Sequence, residues 1–121
     1  MPAKIMIVDD EEDITLVFKM GLEEHGFEVD TFNDPFDALR NFKPRYYDLL
    51  LLDIKTPKLN GFELYDKLIQ VDSQLKVLFI TAFEADYHSL NEHYPLLPKD
   101  PFIRKPVEID DLVSRINYEL R

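Results

Sequence analysis

At several points in this chain, polar side chains follow directly on apolar runs. Asp9 and Asp10 follow Ile5-Met6-Ile7-Val8, Asp53 follows Leu49-Leu50-Leu51-Leu52, Thr81 follows Val77-Leu78-Phe79-Ile80, and Lys105 comes just after Phe102-Ile103. Three carboxylates gathered in one place call for a hard cation. Two such charges about 4 Å apart repel by roughly 4 kcal/mol at an effective dielectric of about 20, and a divalent ion relieves that repulsion. Mg²⁺ (or Mn²⁺) takes oxygen ligands, commonly one or two carboxylates together with waters and a phosphate oxygen. A hydroxyl and an ammonium beside it would hold a phosphoryl group, with Lys105 balancing charge and Thr81 donating a hydrogen bond. Each residue also has a plainer reading. Asp9 or Asp10 would serve equally as the cap of a following helix, with Glu11 and Glu12 at its positive end. An isolated strand-end Asp53 would serve as a turn starter, and a strand-end Thr or Lys taken singly carries no meaning. The set as a whole, gathered at four strand ends, points to a site.

The elements that must position these residues are legible from periodicity. The uninterrupted runs at Ile5, Leu49 and Val77 have the pattern of parallel strands covered on both faces and belong at the centre of a sheet. Phe27-Glu28-Val29-Asp30-Thr31-Phe32 alternates apolar and polar residues, and Phe102-Ile103 is short and lies between Pro101 and Pro106, so both suit edges. Between strands, Ile14, Val17, Phe18, Gly21, Leu22 and His25 form one helical stripe, and Ile109, Leu112, Val113, Ile116 and Leu120 form another. Asp34-Pro35 opens a short helix. Asn60 with Glu63 resembles a capping box for a helix that turns Leu64, Tyr65, Leu68 and Ile69 inward. A fourth helix is expected from Glu84 to His93, followed by Pro95, Pro98 and Pro101. Five strands alternating with five helices give an α/β doubly wound parallel sheet. With the second and fifth strands at the edges, right-handed crossovers give the order 2-1-3-4-5. Its topological switch point lies between the first and third strands, where Asp9, Asp10 and Asp53 end their strands.

Composition narrows the classes. A length of 121 residues, 45% of them apolar, fits a single domain, 1–121, with a core that needs no metal or disulfide. There is no cysteine, which excludes disulfide frameworks, thiolate metal sites and cysteine nucleophiles. The longest apolar run is far shorter than the ~20 residues of a membrane span, and Met1-Pro2-Ala3-Lys4 lacks the apolar stretch of a secretory signal. The expectation is a soluble, cytoplasmic protein with no membrane insertion. Twenty-four acidic against 14 basic side chains give a net charge of −10, which argues against direct nucleic-acid binding by this domain. His25, His88 and His93 form no metal-binding spacing and suit surface positions.

In combination and order, Val8-Asp9-Asp10-Glu11, Leu52-Asp53-Ile54-Lys55-Thr56-Pro57, Asn60-Gly61-Phe62-Glu63-Leu64, Thr81-Ala82 and Lys105-Pro106 resemble the receiver domains of two-component response regulators, a likeness that spans the whole chain. The resemblance implies a flavodoxin-like fold of the chemotaxis-regulator type. It implies that Asp53 accepts a phosphoryl group from a sensor histidine kinase or phosphotransfer protein, forming an acyl phosphate. Asp10, Asp53 and the backbone carbonyl of Lys55 would ligate Mg²⁺, with Asp9 acting through water. Lys105 would contact the phosphoryl oxygens and precede a cis proline. Thr81 and Phe102 would form the switch, Phe102 having an equal claim as a core-packing edge residue. The fourth helix, fifth strand and last helix would then signal to a downstream protein. Lys55 and Phe83, two residues beyond Asp53 and Thr81, would tune hydrolysis. A bulky Phe83 implies a long-lived acyl phosphate, and Phe83→Glu should hasten its loss.

The chain departs from the receiver pattern in two places. Thr56 stands where a Met is common, and Tyr94-Pro95-Leu96-Leu97-Pro98 replaces a small-residue step before the fifth strand. Tyr87, Leu90 and Tyr94 sit at helical spacing, as a partner stripe or as core. Three other readings compete. A haloacid-dehalogenase-like Mg²⁺-dependent phosphatase would need an acid where Lys55 stands. A flavodoxin-like electron carrier would need a Ser, Thr and Gly-rich phosphate loop where Asp9 to Asp13 stand. A degenerate, phosphorylation-independent receiver would act as an interaction module. A stand-alone regulator, a phosphorelay intermediate and a fragment of a longer regulator are all open, and Arg121, ending the last helix without a linker, favours the first two. Beyond self-phosphorylation from a donor and slow self-dephosphorylation, no enzyme activity is expected.

Overall fold

The computed structural model describes residues 2–82 and 100–121. Five parallel strands, β1 (Lys4–Val8), β2 (Glu28–Phe32), β3 (Leu49–Asp53), β4 (Val77–Thr81) and β5 (Phe102–Arg104), form one sheet in the order β2-β1-β3-β4-β5. This is the expected order, with the alternating and the proline-flanked segments at the edges. Among the described residues the helices are α1 (Glu12–Glu24), α2 (Pro35–Asn41), α3 (Gly61–Val71) and α4 (Ile109–Glu119). The helix expected from Glu84 to His93 lies outside the described residues, as do Phe83, Tyr87, His88, Leu90 and Tyr94.

The continuous apolar runs are central because both faces of each strand are covered. Successive side chains alternate between faces, so Met6, Val8, Leu50, Leu52, Val77 and Phe79 join one core cluster with Leu64, Tyr65 and Leu68 of α3. Ile5, Ile7, Leu49, Leu51, Leu78 and Ile80 join the other with Phe18 and Leu22 of α1 and Leu112 and Ile116 of α4. Covering a parallel sheet on both sides in this way requires crossover helices on both faces.

Local signals set the helix ends. Asp34 accepts from the Phe36 N–H at 2.8 Å with Pro35 in the first turn of α2. Asn60 and Glu63 form a reciprocal capping box at α3, with distances of 2.9 and 3.0 Å. α1 closes in a Schellman arrangement: Gly26 takes φ +91, a left-handed position that glycine adopts without strain, while the Phe27 N–H donates to Leu22 O at 3.1 Å. Phe27 is thereby spent in the turn, and β2 starts one residue later than its alternation suggested.

The inward face of α1 differs from the expected stripe. Its buried residues are Thr15, Phe18 and Leu22, whereas Val17 is 55% exposed. Thr15 turns the helix: its hydroxyl donates to Glu12 O at 3.0 Å and accepts from Asn33 Nδ2 at 3.0 Å, which satisfies a polar group where an aliphatic one was expected. The last helix behaves as its pattern implied, with Leu112, Val113 and Ile116 buried.

Candidate functional site

β1 and β3 are adjacent and in register from Ile5↔Leu49 to Val8↔Leu52, so the residues that follow them emerge side by side. Asp9 directly follows β1 and is fully buried, and its N–H donates to Phe32 O of β2 at 3.1 Å, which fixes the backbone there. Asp53 is the last residue of β3, buried, with Ile54 N bonded to Ile80 O at 3.0 Å. Asp10 is exposed at the mouth. One carboxylate oxygen from each of Asp9, Asp10 and Asp53 lies within 4.8 Å of the others.

Lys105 closes the other side. Its backbone N–H donates to Thr81 O at 2.8 Å, which aligns the ends of β4 and β5. Its ammonium lies 3.0 Å from Asp9 Oδ2, 3.5 Å from Glu11 Oε1 and 3.6 Å from Asp53 Oδ2. The Lys105-Pro106 peptide is cis. Thr81 is buried at the end of β4. Lys55 is exposed, and its backbone N–H donates to Asp53 Oδ1 at 3.1 Å, which orients the carboxylate. Asp10, Glu11, Asp53, Lys55, Ala82 and Lys105 line an open cleft of about 190 Å³. Phe102 is half-buried one strand away, its ring centroid 6.0 Å from that of Phe79 and 6.3 Å from that of Phe62, packed against the core.

The electrostatics follow from burial. Desolvation raises the Asp53 carboxyl and the Asp9 charge raises it further; the Lys55 N–H and the Lys105 ammonium offset this in part, leaving a pKa of about 6. Burial works against the Lys105 ammonium, yet the Asp9 hydrogen bond and the charges of Asp53, Asp9 and Glu11 outweigh it and its pKa is raised. The pocket is thus acidic and partly dry, and among the described residues the Lys105 ammonium under-neutralises its acids. Its donor set consists of hard carboxylate oxygens, which suits a small divalent cation.

Neither Asp9 nor Asp10 is the cap of α1. That position falls to Glu11, and Asp9 Oδ1 instead accepts from the Glu11 N–H at 2.9 Å. Besides Glu11 at the cleft, sequence reading missed two further members of the site. Asn33 Nδ2 donates to Asp9 O at 2.8 Å and to Thr15 Oγ1 at 3.0 Å, tying the end of β2 to the Asp9 loop. Asn33 directly follows β2, so the strand-end rule that singled out Asp53 would have found it. Gly61 is the other: a Cβ there would meet Asp53 O at 2.5 Å, so only glycine lets α3 approach the end of β3 this closely.

Residues 5–117 match the family model described as the response regulator receiver domain. The response regulator ArlR of Staphylococcus aureus is 34% identical over 119 residues, covering 98% of this chain and 52% of its own length. This chain spans about half the length of the curated relatives it matches. Among solved structures, a CheY-like receiver domain protein from Methanospirillum hungatei superposes with a TM-score of 0.85 at 28% identity, covering 99% of this chain and 94% of that one. Response regulator TrrA from Thermotoga maritima, solved in complex with Mg²⁺-BeF, superposes with a TM-score of 0.80 at 26% identity, covering 98% and 99%.

Proposed function

The chain belongs to the family of response regulator receiver domains, and from that membership we propose that Asp53 is its phosphoacceptor. The observation that carries this reading is the buried carboxylate of Asp53 beside Asp9 and Asp10, with the Lys105 ammonium 3.6 Å away. The Lys55 N–H holds Asp53 Oδ1 and leaves Oδ2 facing Lys105, so one oxygen is oriented for attack while the lysine waits for the charge that arrives with the phosphoryl group. Thr81 stands at the end of the next strand, where its hydroxyl would engage the phosphoryl oxygens. Its movement would make room for Phe102 to turn inward from the edge of the sheet.

Asp10, Asp53 and the Lys55 carbonyl would hold Mg²⁺ or Mn²⁺, with Asp9 acting through water. When bound, the ion draws charge from the transferring phosphoryl oxygens and relieves the repulsion among the acids. TrrA, captured with Mg²⁺-BeF, supports the same chemistry here. The donor would be the phosphohistidine of a sensor histidine kinase or phosphotransfer protein, and the output a contact of β5, α4 and the segment before β5 with a downstream protein. The domain is not an enzyme toward external substrates. It phosphorylates itself from a donor and loses the group slowly.

The test is incubation with Mg²⁺ and acetyl phosphate followed by intact mass. Wild type gains one phosphoryl mass and Asp53→Asn does not. An unchanged wild-type mass contradicts the proposal.

A further inference from the structure

We propose that Glu11 is a positioning residue for phosphoryl transfer: in the resting pocket it holds the Lys105 ammonium, and it competes for that ammonium with the incoming phosphoryl oxygens. The proposal rests on Asp53 being the phosphoacceptor. Glu11 occupies the cap position of α1, yet its side chain makes no capping bond. Its backbone is engaged separately, with Asp9 Oδ1 accepting the Glu11 N–H and Glu11 O accepting from the Ile14 and Thr15 N–H groups. The Glu11 carboxylate instead lies along the cleft, with Oε1 3.5 Å from Lys105 Nζ.

The three acids around Lys105 are not equivalent. Asp9 and Asp53 belong to the cluster whose oxygens lie within 4.8 Å of each other, and Glu11 does not. The Asp9 and Asp53 side chains are 0% and 7% exposed, whereas that of Glu11 is 62% exposed. Glu11 alone among the three returns to water with little change of environment when Lys105 is claimed elsewhere. During transfer from acetyl phosphate, the bond between phosphorus and the acetyl oxygen breaks and acetate leaves with the electron pair, while an Asp53 oxygen forms the new bond to phosphorus. The dianionic group on Asp53 then draws Lys105 to itself, and the Glu11 contact must be given up. A contact made before transfer and lost after it opposes transfer.

The full chain and its Glu11→Gln and Glu11→Asp variants are compared at saturating Mg²⁺ and limiting acetyl phosphate, with phosphoryl gain followed by intact mass. Glu11→Gln is expected to gain the group about two- to fivefold faster, the range set by an exposed ion pair. Added salt should narrow the difference as screening weakens the pair. Glu11→Asp, one methylene shorter, loses reach to Lys105 and should follow the Gln variant; if it follows wild type, holding by contact is overturned. Equal or slower gain in Glu11→Gln overturns the proposal as well. A second readout needs no phosphoryl donor: hydrogen exchange of the Lys105 ammonium, read by side-chain ¹⁵N NMR in the resting protein, should quicken in Glu11→Gln, and unchanged exchange overturns the proposal. A wild type that gains no phosphoryl group, while the variant's exchange quickens, would sink the phosphoacceptor reading and with it the role of Glu11 in transfer, leaving only the resting hold of Glu11 on Lys105; unchanged exchange beside normal phosphoryl gain would sink the Glu11 proposal and spare the phosphoacceptor.

Discussion

Asp53 is held in a protonation balance that a cation would tip. Its folded pKa is about 6 against an ordinary 3.8, so the folded protein binds that proton more tightly than the unfolded chain does. The stability this group contributes in the metal-free protein is therefore fully present below pH 3.8 and is lost as pH rises through about 6. Denaturation of metal-free wild type across this range should show the decline, and Asp53→Asn, which buries no charge and does not repel Asp9, should lack that component and be more stable at pH 7. A wild-type curve parallel to that of the variant would show that neither burial nor the Asp9 charge raises the Asp53 carboxyl. The Lys105 ammonium offsets the charge of the buried acids. Removing it in Lys105→Ala leaves Asp9 buried without a cation, so a loss of about 3 kcal/mol is expected by chemical denaturation. A loss near zero would mean that the pair contributes little to holding the pocket.

At the scale of elements, α3 closely approaches the backbone that carries Asp53 at the end of β3. Gly61→Ala places a methyl against Asp53 O, a contact of 2.5 Å that backbone must yield to. It should cost roughly 1–3 kcal/mol and slow phosphoryl gain, whereas Asn60→Ala, which removes only the cap, should cost about 1 kcal/mol and leave the pocket intact. Thermal melts and phosphorylation rates on both variants separate the two. Most of this layer was legible in the sequence. Strands announced themselves because central parallel strands are apolar on both faces, and α3 did so because the Asn60 to Glu63 spacing matches the geometry of a helix start. The face of α1 was not legible, because a period of apolar residues cannot register that Thr15 is buried through two hydrogen bonds while Val17 is left outside. The site followed from strand ends and topology, yet Glu11 escaped that rule. An acidic residue at the start of a helix looks like a favourable charge for the dipole, and only the fold brings its side chain round to Lys105.

Over the whole molecule, two apolar layers cover both faces of the sheet and leave its carboxyl-terminal end as the polar cleft. No helix among the described residues is long and apolar enough to cross a membrane. The net charge of −10 makes cation binding favourable at long range as well as in the pocket. Mg²⁺ at ten times its dissociation constant should add about 1.4 kcal/mol, a rise of roughly 5–6 °C in melting temperature, and Asp53→Asn should abolish most of the rise. Absence of any shift at millimolar Mg²⁺ would mean that the three acids do not share an ion. The most direct test of the account is to locate the phosphoryl group chemically. Protein treated with acetyl phosphate and Mg²⁺ is reduced with borohydride, which converts an aspartyl phosphate to homoserine, and its peptides are then sequenced by mass spectrometry. Homoserine at position 53 alone is the expected result. Homoserine at position 9 or 10, or a phosphoryl group that survives reduction on another side chain, would contradict it.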